Sequence, residues 1–285
     1  MAASTPLNNQ KFFELLFSRK TVLVALIVFL AIVLFCALAP FISSVDPTRM
    51  SVRMRLSAPG ADFWLGADAF GRDVFTRLYY AGRVSLTIGL GVAIISSIVG
   101  IAIGMLAGFF RKLDAPFSRL IDAMMAFPDI LLAIALVSIL GGSMINVIIA
   151  LSIVYTPRIA RIVRASTLVI RELPYVEAAK ALGSSTPTIM ITHVLRNILS
   201  PIIVQATFIF AYAMLAEAGL SFLGVGVDSE TPTWGTMINE GRQYIDQATF
   251  LILIPGLAIS ISVLALQLIG DGLRDALDPR LAREL

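Results

Sequence analysis

The chain has 285 residues, 58% of them hydrophobic and only 14% charged. Soluble domains carry about 25% charged residues, so this composition, with a mean hydropathy of +0.88, excludes that class and points to an all-α integral membrane protein. The net charge of +3 is small and most Lys and Arg lie beside apolar segments, which reads as orientation signal and not as nucleic-acid binding.

Residues 1–20 lead into a first uncharged run, 21–45, of which 21–42 is expected to remain as a transmembrane anchor. Ala37-Leu38-Ala39 looks like a signal-peptidase site, but Pro40 follows it and the run exceeds the roughly 7–15 residues of a signal's apolar core. Cys36, the only cysteine, lies in this run and is read as packing, since no intrachain disulfide is possible.

Residues 43–83 are polar, with turn signals at Asp46-Pro47 and Ala58-Pro59-Gly60, so little regular structure is expected. Within RDVFTRLYYAGRVSL, Arg77 and Arg83 fit an interfacial helix that leads into the second span, 84–110. Gly89, Gly91, Gly100, Gly104 and Gly108 give that span small-residue spacings for close helix approach. They serve either pairing with a sister subunit or packing within the chain.

The stretch 130–157 is one long helix, or the halves of two helices joined at Gly141-Gly142-Ser143. In the second case the earlier helix begins near Leu120 and brings Asp122 and Asp129 into or near the membrane. Pro128 should kink it, at a place that suits a gate, and Met124 and Met125 are adaptable packing. Further spans cover 198–216 and 247–270, and a tail follows at 271–285. Trp234, in the last outer loop, is expected at the membrane interface, with contact to a partner outside the cell as the second choice.

Charge decides the count. With the N-terminus inside and six spans, the inner segments hold 15 Lys and Arg and the outer ones 7; with five spans the numbers reverse. Cytoplasmic loops carry the excess, so six spans with both ends inside is the reading. Arg158, Arg161 and Arg164 then repeat along one helical face at the inner side, as a positive stop signal or as a seat for a cytoplasmic partner.

A pump needs an energy source, and this chain shows none. Lys11, Lys20, Lys112 and Lys180 all lack the G-x-x-x-x-G-K-[ST] context of a phosphate loop. One Cys and one His form no metal-ligand cluster, and His193 is read as a polar interface residue. No catalytic or metal-binding residue is expected. Asp122, Asp129 and Glu217 are the few acids near the spans, each read as sitting near water at a helix end. A self-sufficient ion-coupled secondary transporter using them is the alternative.

Residues 165–197 fall in the cytoplasm, and PYVEAAKALGSSTPTIMITHVLRN within them reads as two short helices. Pro174 suits a first helical turn, Glu177 favours the positive helix start and Lys180 the far end. Gly183 is the left-handed stop. Ser185 or Thr186 caps a second helix that opens with Pro187. Ala178, Ala179 and Ala181 keep the first helix low enough for another surface to approach, with Val176 and Leu182 as its anchors.

EAAKALGSSTPTIMITHVLRN resembles the EAA loop of permease subunits in binding-protein-dependent ABC importers. Glu177, Ala178, Ala179 and Gly183 fall on the pattern, with Lys180 inside it; Arg196 stands where proline is usual, which bears on the second helix's exit angle. LGADAFGRDVFTRLYYAGRVSL (65–86), GLSFLGVGVDSETPTWGTMINEGR (219–242) and GDGLRDALDPR (270–280) resemble the dipeptide/oligopeptide/nickel branch. Asp228-Ser229-Glu230 departs from that branch's common Gln-Pro-Pro.

The resemblance implies a MetI-like, type I importer permease with a core at 84–270, in a bacterial cytoplasmic (inner) membrane. It implies a homologous permease as partner in a heterodimer, two cytoplasmic ATPases that receive the EAA loop and use ATP and Mg, and an extracytoplasmic binding protein. This chain itself would bind no cofactor. The implied solute is a di- or oligopeptide, or a nickel chelate, glutathione or opine-like compound.

Overall fold

The computed structural model describes residues 19–42, 46–228 and 230–277. The expectations for residues 1–18, Ser229 and Asp278-Pro279-Arg280 lie outside these. Among the described residues the backbone is helical, and the only strand-like pairing is one bridge between Ala67 and Asp73.

Helix α1 is Lys20–Ala37, followed by a helical turn at Ala39–Ile42. Helix α2, Val74–Phe109, has 36 residues and is about 54 Å long. Then come α3 (Arg111–Met125) and α4 (Asp129–Leu140), α5 (Met144–Ile170), and the short α6 (Pro174–Ala181). Helix α7, Thr186–Phe222, includes a π-helical stretch at Met190–Leu195. The last two are α8 (Trp234–Gly241) and α9 (Phe250–Leu277). Five of these are long and apolar enough to cross a membrane, and the bent pair α3–α4 makes a sixth.

That pair resolves the ambiguous stretch. The chain breaks at Gly141, at φ +93, and Ser143 caps α5 by accepting from the Asn146 amide at 3.2 Å. The earlier helix begins at Arg111, not near Leu120, and ends in a 93° bend ahead of Pro128. This is a break, where a kink was expected: proline disfavours helical backbone at the residue before it, here Phe127. Helix α4 has 12 residues, about 18 Å, against a hydrocarbon thickness of about 30 Å, so alone it is too short to cross.

The second span starts earlier than its apolar run. Asp73 accepts from the Thr76 amide at 2.9 Å and the Phe75 amide at 3.3 Å, which starts the helix at Val74. No separate interfacial helix forms, because nothing between 74 and 84 breaks it. The loop before it holds one 3-10 turn, Val52–Met54, yet it is firmly tied. Arg77 reaches Asp68 at 2.7 Å and Glu240 at 3.0 Å, and Arg72 reaches the same two acids at 2.6 Å each. Two distant stretches, 65–86 and 219–242, are thus joined by one buried ionic clamp.

The glycine stripe packs within the chain. Gly91, Gly100, Gly104 and Gly108 face α5, meeting Ile148, Ile159, Ala160 with Val163, and Thr167 in turn; Gly89 faces Phe210 and Met214 on α7. A Cβ at position 104 would lie 2.6 Å from the Ala160 carbonyl oxygen, and backbone cannot step aside. Gly104→Val should therefore force α2 and α5 apart at a cost of about 1–3 kcal/mol. Heat-induced aggregation of the detergent-solubilised protein reads it, and a variant as heat-stable as wild type would show that the contact is looser than drawn.

Trp234 is 1% exposed, with its indole N–H donating to the Leu78 carbonyl at 2.8 Å. It is a core residue of the outer half and not an interface anchor. Cys36 packs beside it against Gly82. Glu217 is likewise buried, accepting from Ser221 at 2.8 Å and Ser85 at 3.3 Å, so its expected place near water is corrected. The hydroxyls satisfy an acid that hydrocarbon would not tolerate bare.

Candidate functional site

The elbow is built as its residues dictate. Pro174 sits in the first turn of α6, Glu177 in the same turn and Lys180 in the last. Gly183 holds φ +83, a conformation costly to other residues, and the Ser184 amide returns to the Ala179 carbonyl at 3.0 Å. This double-bonded stop fixes the turn. Ser185 then caps α7 by accepting from the Thr188 amide at 3.4 Å, with Pro187 behind it.

Three contacts set the elbow on the membrane core. Val176 and Ala179, three residues apart, are its buried face. The Lys180 ammonium lies 5.5 Å from the centroid of the Phe109 ring, at the end of α2. Asn197 donates to the Tyr175 hydroxyl at 3.4 Å and to the His193 carbonyl at 2.5 Å, and the two rings lie 6.0 Å apart. Burial pushes the Tyr175 phenol up, so it remains neutral there. Arg171, just before the elbow, donates to the Gly108 carbonyl at 2.7 Å.

Two details differ from the sequence reading. Leu182 is 87% exposed and anchors nothing within the chain. The second helix is not short: it runs on through the π stretch into the fourth long span, so Arg196 marks no exit. Glu177, Ala178, Ala181 and Leu182 form the free face of α6. That face is low, apolar and carries one anion.

The arginines at 158, 161 and 164 are engaged inside the chain. Arg158 pairs with Asp129, Arg161 with Asp122 at 2.6 Å, and Arg164 with Asp114 at 2.5 Å. The basic face thus forms a ladder binding α5 to the bent pair α3–α4, with the Arg161 rung on the surface. Asp114 and Asp122 lie eight residues apart, about two turns, on α3, and Asp129 follows across the bend at the start of α4. Asp122 and Asp129 accordingly have cationic partners, which removes the motive for reading them as ion-coupling groups.

Comparison with known proteins identifies the family. Residues 100–283 match the family described as binding-protein-dependent transport system inner membrane component, and residues 9–59 match the N-terminal TM domain of oligopeptide transport permease C. A putative peptide transport system permease protein of Brucella suis is 50% identical over 94% of this chain and 91% of its own length. The dipeptide permease of Alkalihalophilus pseudofirmus is 43% identical over 94% and 89%. A glutathione transport permease of Pectobacterium atrosepticum is 42% identical over 78% and 74%. The MetNI methionine ABC transporter, solved in inward-facing conformations, shares the fold at a TM-score of 0.57 and 20% identity, covering 71% of this chain and 97% of that one. With helices that cross the membrane repeatedly and a family match over most of its length, the chain belongs to the binding-protein-dependent transport system inner membrane components and is a multi-pass permease of an ABC importer.

Proposed function

We propose that this permease pairs with a homologous subunit to form a route for short peptides, and that a cytoplasmic ATPase grips the exposed face of α6. ATP and Mg act on the ATPase, an extracytoplasmic binding protein delivers the solute, and this chain holds no cofactor. The observation that carries the reading is the free face itself. Leu182 is exposed at 87% beside Ala178 and Ala181 on a rigidly capped helix, which offers a small apolar ridge for a groove. Helices of 8 residues are marginal alone in water, so the ridge is held by the core and ready for docking. The peptide class is supported by the relatives, which are peptide, dipeptide and glutathione transport permeases by name.

For movement to follow, the ATPase must hold the elbow differently in its two nucleotide states. The test is reconstitution. Proteoliposomes with this chain alone should take up no dialanine under a pH or sodium gradient, whereas the sister permease, ATPases, binding protein and ATP together should restore uptake. Gradient-driven uptake by the single chain would overturn the division of labour.

A further inference from the structure

The uppermost rung of the charge ladder lies halfway along α5. Arg158 is 14 residues from the outer end of α5 and 12 from its inner end, about 21 and 18 Å respectively. Its partner Asp129 opens α4, 11 residues below Leu140, about 17 Å. Tyr212, whose ring centroid is 5.4 Å from the Arg158 guanidinium, is 10 residues below the outer end of α7, about 15 Å. Three helices thus bring Asp129, Arg158 and Tyr212 together well inside their outer ends.

At that depth the pair is not closed off. Arg158 is 32% exposed, Asp129 38% and Tyr212 39%. Charged groups in mid-membrane do not face lipid; they face protein or a water-filled cavity. The guanidinium is also held in place, between the Tyr212 ring and the Tyr155 ring at 5.3 Å. Only one of its donors is engaged by Asp129, and a guanidinium carries five.

We propose that the Asp129–Arg158 pair lines the solute route and receives the charged ends of a zwitterionic solute, Asp129 the ammonium and Arg158 the carboxylate. This rests on the importer reading above. Without solute the two groups neutralise each other, so the route holds no bare charge. With solute each exchanges its partner for one of opposite sign on the peptide, and the net charge at the site stays zero. A solute with one end blocked would satisfy only one group and leave the other unpaired, which low-dielectric surroundings penalise.

The test uses the full complex with sister permease, ATPases and binding protein in proteoliposomes. A pair that only neutralises itself can be replaced by neutral groups at little cost, so Asp129→Asn/Arg158→Gln would then import dialanine as wild type does; that result overturns the proposal. Recognition instead predicts a fall of about tenfold or more in kcat/KM in complexes that still co-purify intact. In a second arm, a membrane-impermeant cationic methanethiosulfonate should label Tyr212→Cys and Ile130→Cys but not Leu257→Cys on the exposed apolar face of α9, while Cys36, 3% exposed, stays silent. Unlabelled Tyr212→Cys and Ile130→Cys would also overturn it. If positions 130 and 212 label but the wild-type complex imports no dialanine, the peptide reading fails and the placement of the route stands.

Discussion

Replacing Arg77 with alanine should destabilise the permease by about 3–5 kcal/mol, the cost of leaving buried partners uncompensated. Arg77 is 3% exposed and its NH1 atom serves both Asp68 and Glu240. Arg72 bonds the same two acids, so it cannot fully replace the lost cation without abandoning its own geometry. The consequence reaches beyond the ion pairs. Asp68 also accepts from the Phe70 and Arg72 amides at 2.8 and 2.9 Å, which shapes the turn leading to Asp73 and the start of α2. Removing Arg72 as well should add less than the sum of the single effects, because the sites share partners. Thermal unfolding in detergent checks both statements. An Arg77→Ala protein as stable as wild type would mean that the clamp contributes nothing and that apolar packing around Trp234 alone holds the outer half.

Glu177→Arg should leave folding almost untouched and abolish retention of the ATPase. The side chain is exposed on α6, so the change in the chain's own stability is limited to the loss of a favourable helix-start charge, about 0.3–1 kcal/mol. A docked surface is another matter: a central interface residue is worth about 2 kcal/mol or more, near thirtyfold in affinity, and reversal of charge adds repulsion. Leu182→Asp should act in the same direction by putting a carboxylate where an apolar ridge is required. Co-purification of the ATPases, followed by ATP-driven uptake, measures the effect. Normal retention with both substitutions in place would sink the elbow as the point of grip.

What the sequence made visible depended on distance along the chain. The elbow was readable because its physics is local: Pro174, Glu177, Gly183 and Ser185 act within one or two turns of themselves. The long spans were readable because hydrocarbon demands uninterrupted apolar runs. The clamp was hidden, since Arg72 and Glu240 are 168 residues apart and no periodicity links them. Trp234 was misplaced for the same reason: an aromatic residue between Pro232 and Gly235 looks like an interface anchor until Leu78 and Gly82 are seen beside it. The glycines announced close approach but not which helix would approach. In the ladder, the threefold spacing of Arg158, Arg161 and Arg164 is legible because it lies on one helix, whereas their partners Asp114, Asp122 and Asp129 lie across a bend that no periodicity reveals.

Helix α2 differs from the other helices of 27 residues or more in one respect. The helices α5, α7 and α9 carry interior prolines, at Pro157, Pro201 and Pro255, whereas α2 runs 36 residues with none. Its inner end is pinned through Phe109 and Gly108 to the elbow and to Arg171; its outer end carries Arg77. It is a strut without a joint. A displacement at its inner end would meet no proline kink along this helix. Were a ligand bound at one end to change affinity for a second ligand at the other, linkage would require the second to change affinity for the first by the same factor.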